Sequence, residues 1–217
     1  MKERPILFSG PMVRAILAGT KTQTRRVVRY PRSWLTPYAD GDKAKAFTLF
    51  HTESTKGSFW IAGCDTPDHW QCGDERLPQN YLPGDRLWVR ETFRLSVPAH
   101  KGQTGFPIYH ADFDEPPAGL WKPSIFMPRW ACRIVLEIAA VRVERLQSIT
   151  EADAQAEGAE RGIWCNDGVF CQPVDAEDEK RASYRHGYGF LWECINGRGS
   201  WELNPWVWVI EFRRVQP

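Results

Sequence analysis

The sequence predicts an α+β fold, and three observations predict it. Two alternating runs, residues 130–143 (WACRIVLEIAAVRV) and 206–215 (WVWVIEFRRV), read as strands. Three separate segments carry helix start and stop signals. No unit of 20–50 residues recurs, which excludes a repeat architecture. With 217 residues and 42% hydrophobic content, the chain fits a single domain over 1–217 with a long insertion at about 31–83.

The elements follow in order. Residues 5–8 (PILF) form a short buried strand. Ser9 or Gly10 then caps a helix with Pro11 in its first turn, and Met12, Val13, Ile16 and Leu17 make its apolar face. Gly19 suits the left-handed residue that ends a helix, and residues 21–29 leave as an extended segment. Residues 31–83 lack sustained periodicity and are rich in Gly, Pro, Asp and Thr, so they read as an insertion with short hairpins around 46–50 and 58–62. The turn Pro83-Gly84-Asp85 feeds an alternating strand at 86–93, and a second short strand falls at 107–111. The run at 130–143 is the longest, and its alternation suits a barrel or a bent sheet. Thr150-Glu151-Ala152-Asp153 resembles a capping box with Asp for the usual Glu, opening a helix through Glu157 that ends near Gly158. Residues 176–195 read as one longer helix closed by Asn196-Gly197, with Phe190, Leu191 and Ile195 toward the core. Asn204-Pro205 turns the chain into the final strand.

A net charge of +1 gives no whole-protein field for nucleic acid. The charge is uneven, however. Lys2, Arg4, Arg14, Lys21, Arg25, Arg26 and Arg29 face only Glu3 in the first thirty residues, which predicts a basic N-terminal face. No secretory pattern and no apolar run near ~18 residues is present, so the expectation is a cytoplasmic protein without membrane contact and with reduced thiols.

The densest chemistry lies just past the first helix. Thr20-Lys21-Thr22-Gln23-Thr24-Arg25-Arg26 offers an amine, hydroxyls and two arginines within a few residues. Lys21, Thr24 and Glu157 are the candidate catalytic residues. A partly desolvated lysine beside cations loses basicity and can act as a base. A threonine hydroxyl needs such a base to attack. A carboxylate can orient the amine or protonate a leaving nitrogen. Arg25 and Arg26 alternate sides in an extended chain, so one would face the pocket, to bind phosphate or carbonyl, or else to pair with the acidic helix. Trp130, Asn204 and Trp206 join the arginines as candidate substrate-binding residues. The 11 tryptophans serve the core first, and one or two would suit stacking on a base. Cys64, His69 and Cys72 resemble half of a metal site, with Cys165 or Cys171 as a fourth ligand. No paired Cys-x2–4-Cys knuckle occurs, so neither metal nor cofactor is assigned.

Residues 19–25 resemble the G-x-K-x-x-x-R signature of ASCH domains, relatives of the PUA RNA-binding fold. Pro83-Gly84-Asp85-Arg86-Leu87-Trp88-Val89 resembles that family's G-D-x-L strand, and residues 149–158 (ITEADAQAEG) resemble its "ITEEDAxxEG" helix. Residues 206–212 sit where its closing strand belongs, and 123–130 with the long insertion are similar to large ASCH proteins of phages and prophages. The resemblance implies a small PUA-like β-barrel flanked by helices, with a cleft between the first helix, the strand after it and the Thr150 helix. A small bacterial ASCH enzyme hydrolyses N(4)-acetylcytidine with a Lys, a Thr three residues on and a Glu in that helix, which fall here on Lys21, Thr24 and Glu157. The implied activity is metal-independent amidohydrolysis of an acylated cytidine nucleoside or nucleotide. A non-catalytic RNA-binding module and a nuclease for single-stranded RNA are the alternatives.

Overall fold

In the computed structural model, which describes residues 1–29, 47–54, 57–64, 81–97, 105–164 and 170–216, five strands build one mixed sheet. They are β1 (Glu3–Leu7), β2 (Gln23–Val27), β5 (Arg86–Arg90), β8 (Val135–Arg145) and β11 (Trp206–Val215), in the spatial order β1-β5-β8-β11-β2. β1 and β5 run parallel, and the remaining neighbours are antiparallel. Four helices accompany the sheet among the described residues: α1 (Gly10–Leu17), α2 (Glu151–Ala156), α3 (Ala176–Arg181) and α4 (Tyr184–Asn196). The class is therefore α+β. β1 and β2 share no ladder among the described residues, so the sheet is open in its pairing order.

Three small ladders lie outside this sheet. β6 (Phe93–Leu95) pairs with β7 (Pro107–Tyr109), and β9 (Ile163–Trp164) pairs with β10 (Phe170–Cys171). β3 (Phe47–Ser54) and β4 (Gly57–Cys64) form one antiparallel hairpin inside the expected insertion. The positions expected near 46–50 and 58–62 are thus its two partner strands. Residues 31–46, 55–56 and 65–80 of that insertion lie outside the described residues.

The main core packs one face of the sheet. Ile6, Leu87, Val89, Leu136, Ile138, Ile210 and Phe212 join Val13 and Ile16 of α1 there. Val207 and Val209, alternating with those β11 residues, bury the opposite face against Ala154, Tyr188 and Trp192. Burial on both sides explains why β11 opens with five apolar residues in a row.

β8 contains the irregularity that shapes the site. Its register with β11 shifts so that Glu211 pairs with Ala140 but Phe212 pairs with Ile138, which leaves Ala139 as an extra residue. Such a bulge reverses which parity faces which side. Leu136 and Ile138 face the core before it, and Val141 and Val143 do so after it. Arg142 and Glu144 are thereby delivered to the α2 side.

Several sequence expectations need correction. Residues 130–134 are not strand: Trp130 lies in a 3-10 turn (Arg129–Ala131), and β8 begins at Val135. The strand expected at 86–93 ends at Arg90 and resumes as β6, and the one at 107–111 gives way to a 3-10 turn at His110. The single helix expected over 176–195 breaks at Ala182-Ser183. Ser183 adopts an extended backbone, caps α4 through His186 N–H, and bridges Gly162 instead of continuing α3. α4 also buries a different face. Phe190 and Ile195 are exposed, while Tyr188 and Trp192 are buried. Gly187 sets that face, because a Cβ there would lie 1.7 Å from the Glu160 carbonyl oxygen. Close backbone approach, not the largest apolar side chains, chose the packing side.

Candidate functional site

Two helix ends bring Lys21 and Glu157 together. α1 starts at Ser9 with Pro11 in its first turn, and it closes at Gly19, which has a φ of 78°. The N–H groups of Thr20 and Lys21 then both donate to the Ala15 carbonyl, which turns the chain into β2. α2 begins at Thr150, whose Oγ1 accepts from Asp153 N–H and donates to Asp153 Oδ2. It ends at Glu157, followed by Gly158 with a φ of 75°. A Cβ on Gly158 would sit 3.0 Å from Ala15 Cβ and 3.2 Å from Lys21 Cβ, so the glycine also lets the two helix ends meet. Across that junction Lys21 and Glu157 form an isolated antiparallel bridge, and Thr22 N–H donates to the Ala156 carbonyl.

Lys21 and Glu157 are paired directly. Lys21 Nζ donates to the Glu157 carbonyl at 2.7 Å and to Glu157 Oε2 at 2.8 Å, and neither side chain is more than 2% exposed. The Phe8 ring centroid lies 5.6 Å from the same ammonium. Burial holds Lys21 below the ordinary lysine value. Glu157 opposes that shift, and the charges of Arg26 and Arg25 add to it.

Arg25 ties the pair to a wider network. Its Nη1 donates to Glu157 Oε1 at 3.1 Å, its Nη2 donates to Glu144, and Asp153 Oδ2 lies 3.4 Å away. Burial disfavours its charge, but Glu157 and the hydrogen bond to Glu144 outweigh burial and raise the guanidinium above its ordinary value. Arg142 extends the chain of contacts to Glu144, Asp153 and Glu211. Gln23 Nε2 reaches both the carbonyl and the carboxylate of Asp153. Three cations and four carboxylates thus interlock, which is how buried charge is tolerated.

A pocket of about 60 Å³ opens beside this network. Glu157 and Arg25 form its polar wall, with Thr24 and Arg26 from the same strand. Tyr188, Leu191, Trp192 and Ile195 of α4 form the opposite wall, and Met12 of α1 contributes. The pocket lies between α1, β2, Glu157 at the end of α2, and α4. Burial, and then the charge of Glu157, push the Tyr188 phenol well above its ordinary value, so it stays protonated. Lys21 does not line the pocket. It meets the cavity through Glu157.

The other sequence candidates separate. Arg25 faces the carboxylates and Tyr188, as expected for pairing with the acidic helix. Arg26 lies over the Phe8 ring at 5.4 Å, donates to the Leu7 carbonyl at 3.0 Å, and reaches the pocket edge. Trp130 is 59% exposed on its 3-10 turn and does not line the pocket. Asn204 is a structural hinge: at a φ of 42° its Oδ1 accepts from Gln147 N–H and its carbonyl accepts from Arg145. Trp206 carries the Arg145 guanidinium 4.4 Å from its ring centroid, also away from the pocket. Cys64 lies on β4, while His69, Cys72 and Cys165 lie outside the described residues. Among the described residues no three His, Cys, Asp or Glu side chains gather to hold a metal.

Sequence reasoning missed Arg142, Glu144, Tyr188 and Trp192. A signal for the first two existed: charged residues at 142 and 144 interrupt an apolar strand in the phase that a one-residue bulge at Ala139 produces. Tyr188 and Trp192 had only their i, i+4 spacing on α4. No family model, no curated protein and no solved structure matches the chain.

Proposed function

We propose that this chain is an ASCH-type domain that acts as a metal-independent amidohydrolase, removing a short acyl group from the exocyclic nitrogen of an acylated cytidine. The observation that carries this reading is the fully buried Lys21–Glu157 pair at 2.8 Å, whose Glu157 lines a pocket that Thr24 also lines. Water held by Thr24 attacks the acyl carbon; where the Thr24 hydroxyl attacks instead, a water then hydrolyses the acyl–threonine ester, releasing the acid and restoring the hydroxyl. The proton passes to the Lys21–Glu157 pair, and the same pair returns it to the leaving cytidine nitrogen as the C–N bond breaks. Because Glu157 lines the pocket and Lys21 stands behind it, the two work as one proton-holding unit. The depressed basicity of Lys21 supports that use. A PUA-like barrel belongs to the same reading. One core gathers side chains from β1, β5, β8 and β11 with Val28 just beyond β2, and the Arg26 contact to Leu7 draws the two edge strands together.

The test is purified protein with N(4)-acetylcytidine, read by chromatography for cytidine and acetate. Turnover is expected, and Lys21→Ala or Glu157→Gln should lower it by about 10²–10⁴-fold. Absence of cytidine at high enzyme concentration rejects the hydrolase. A second reading, an RNA-binding module, is favoured by a surface elsewhere. Ile125, Phe126 and Trp130 are exposed, Arg90 contacts the Ile125 carbonyl, and the Trp88 ring carries Arg90 and Arg129. Aromatics between arginines suit stacking on single strands. RNA retention that falls steeply with salt, without turnover, would select that reading. RNA cleavage lost in Lys21→Ala would select a nuclease.

A further inference from the structure

Lys21, Arg25 and Arg142 each meet carboxylates. Arg26 does not: among the described residues no carboxylate pairs with it. Its Nη2 donates to the Leu7 carbonyl at 3.0 Å. Its Nη1 and Nε have no hydrogen-bond partner among the described residues, and neither belongs to the nitrogens that are shut away from solvent. The half-buried side chain therefore keeps accessible donors and an unneutralised charge, and it lines the pocket.

The strand fixes where those donors stand. Thr24 and Arg26 alternate with Arg25, and they pair with Ile210 and Trp208 of β11. Both partners belong to the core that holds Phe8, so Thr24 and Arg26 share one side of β2, while Arg25 turns to Tyr188 on the other. Two strand residues span about 6.5 Å, which sets Arg26 one side chain beyond the attack point at Thr24. The Phe8 ring, 5.4 Å away, and the bond to Leu7 hold the guanidinium in place, so it has little freedom left to lose on binding. The cavity of about 60 Å³ holds roughly four to six water-sized sites, at ~10–15 Å³ each. That admits an acyl group and the edge of a base, but not a whole nucleotide. The sugar end of a cytidine whose acyl group is seated stays outside, where the accessible N–H groups of Arg26 are open.

A guanidinium with unused N–H groups and no carboxylate beside it suits a phosphate, through charge-assisted hydrogen bonds. We infer that Arg26 binds a ribose-linked phosphate of the substrate, so that the chain takes an acylated cytidine nucleotide in preference to the nucleoside. The inference rests on the hydrolase reading for the base and its acyl group, and on Arg26 alone for the phosphate. A free 5′-monophosphate and a phosphodiester within a strand present the same chemistry to this arginine.

The test titrates cytidine and cytidine 5′-monophosphate into the wild-type protein, Arg26→Gln and Arg26→Lys, read by calorimetry. The monophosphate should bind the wild type about tenfold tighter than cytidine, as hydrogen bonds to a charged group predict. Arg26→Gln should bring that ratio close to one, and Arg26→Lys should keep part of it. The ratio is the readout because lost packing against Phe8 would weaken both ligands alike. In turnover, kcat/KM for N(4)-acetylcytidine 5′-monophosphate relative to N(4)-acetylcytidine should fall in parallel. A wild-type ratio near one, a preference that survives Arg26→Gln, or a protein that binds neither ligand overturns the inference. The trinucleotide UpCpU separates the two phosphate sources: tighter binding than the monophosphate assigns Arg26 to a strand, and weaker binding assigns it to the free nucleotide. A monophosphate preference lost in Arg26→Gln, in a protein that releases no acetate, supports the inference and rejects the hydrolase. Equal turnover of nucleoside and nucleotide rejects the inference and keeps the hydrolase, so the two fail separately.

Discussion

Asp153 shows how one residue is tuned by the network it closes. Partial burial alone would push its carboxyl up. Hydrogen bonds from Thr150 and Gln23 and the charges of Arg25 and Arg142 outweigh that, and hold it below the usual carboxylate value. A carboxyl whose folded value lies below its unfolded one adds stability that is fully present above the unfolded value, about pH 4, and is lost as pH falls through the folded value. Wild-type protein should therefore exceed Asp153→Asn in stability at neutral pH, and the gap should close as pH drops from about 5 toward 2. Urea denaturation across that range reads it. A gap that widens in acid would mean that the contacts to Arg25 and Arg142 contribute nothing to folding. Lys21 has the opposite chemistry in the same place. It is a buried base whose charge is costly, kept because Glu157 is adjacent on two atoms. That cost is the kind functional sites carry.

At the scale of elements, α2 has only six residues, yet its last turn delivers Glu157. A helix this short does not hold itself together, so its cap matters more than its length suggests. Thr150 accepts from Asp153 N–H and donates back to the same carboxylate. Thr150→Ala should cost about 1 kcal/mol and lower Tm by about 2–4 °C in a chain of this size. It should also reduce turnover, because Asp153 and Glu157 sit on the element it loosens. A Tm loss with unchanged turnover would show that the Lys21 bridge alone positions Glu157. The Thr150 cap was legible in the sequence, as were α1, Gly19 and the last strand, because local side-chain bonding and periodicity set them. The break at Ser183 and the buried face of α4 were not. Both depend on contacts with Gly162 and Glu160 that no local window contains. The β8 bulge was half legible: the phase change shows, but its meaning needs the β11 partner.

For the whole molecule, the sheet order joins residues far apart in sequence, β1 with β5 and β2 with β11, so the sequence showed the strands but not their neighbours. The sequence grouped Lys21 with Glu157 by their chemistry and by the family resemblance, but their direct pairing across 136 positions is visible only in the fold. The cations around it were expected to form a basic face. Instead Lys21 and Arg25 point inward onto carboxylates, and the net charge of +1 leaves little long-range field. This distribution separates the two functional readings. Ions beyond a Debye length are screened, while the buried pairs of the pocket are screened far less. Turnover of a neutral nucleoside should then change by less than about twofold in kcat/KM between 50 and 500 mM NaCl. A polynucleotide held through the surface arginines near Trp88 would instead lose affinity steeply, with a log–log slope of about −0.7 per phosphate neutralised on a single strand. Measuring both on one preparation assigns each activity to its surface. Nucleoside turnover that collapses with salt would place the productive contacts on the exposed arginines and not in the pocket beside β2.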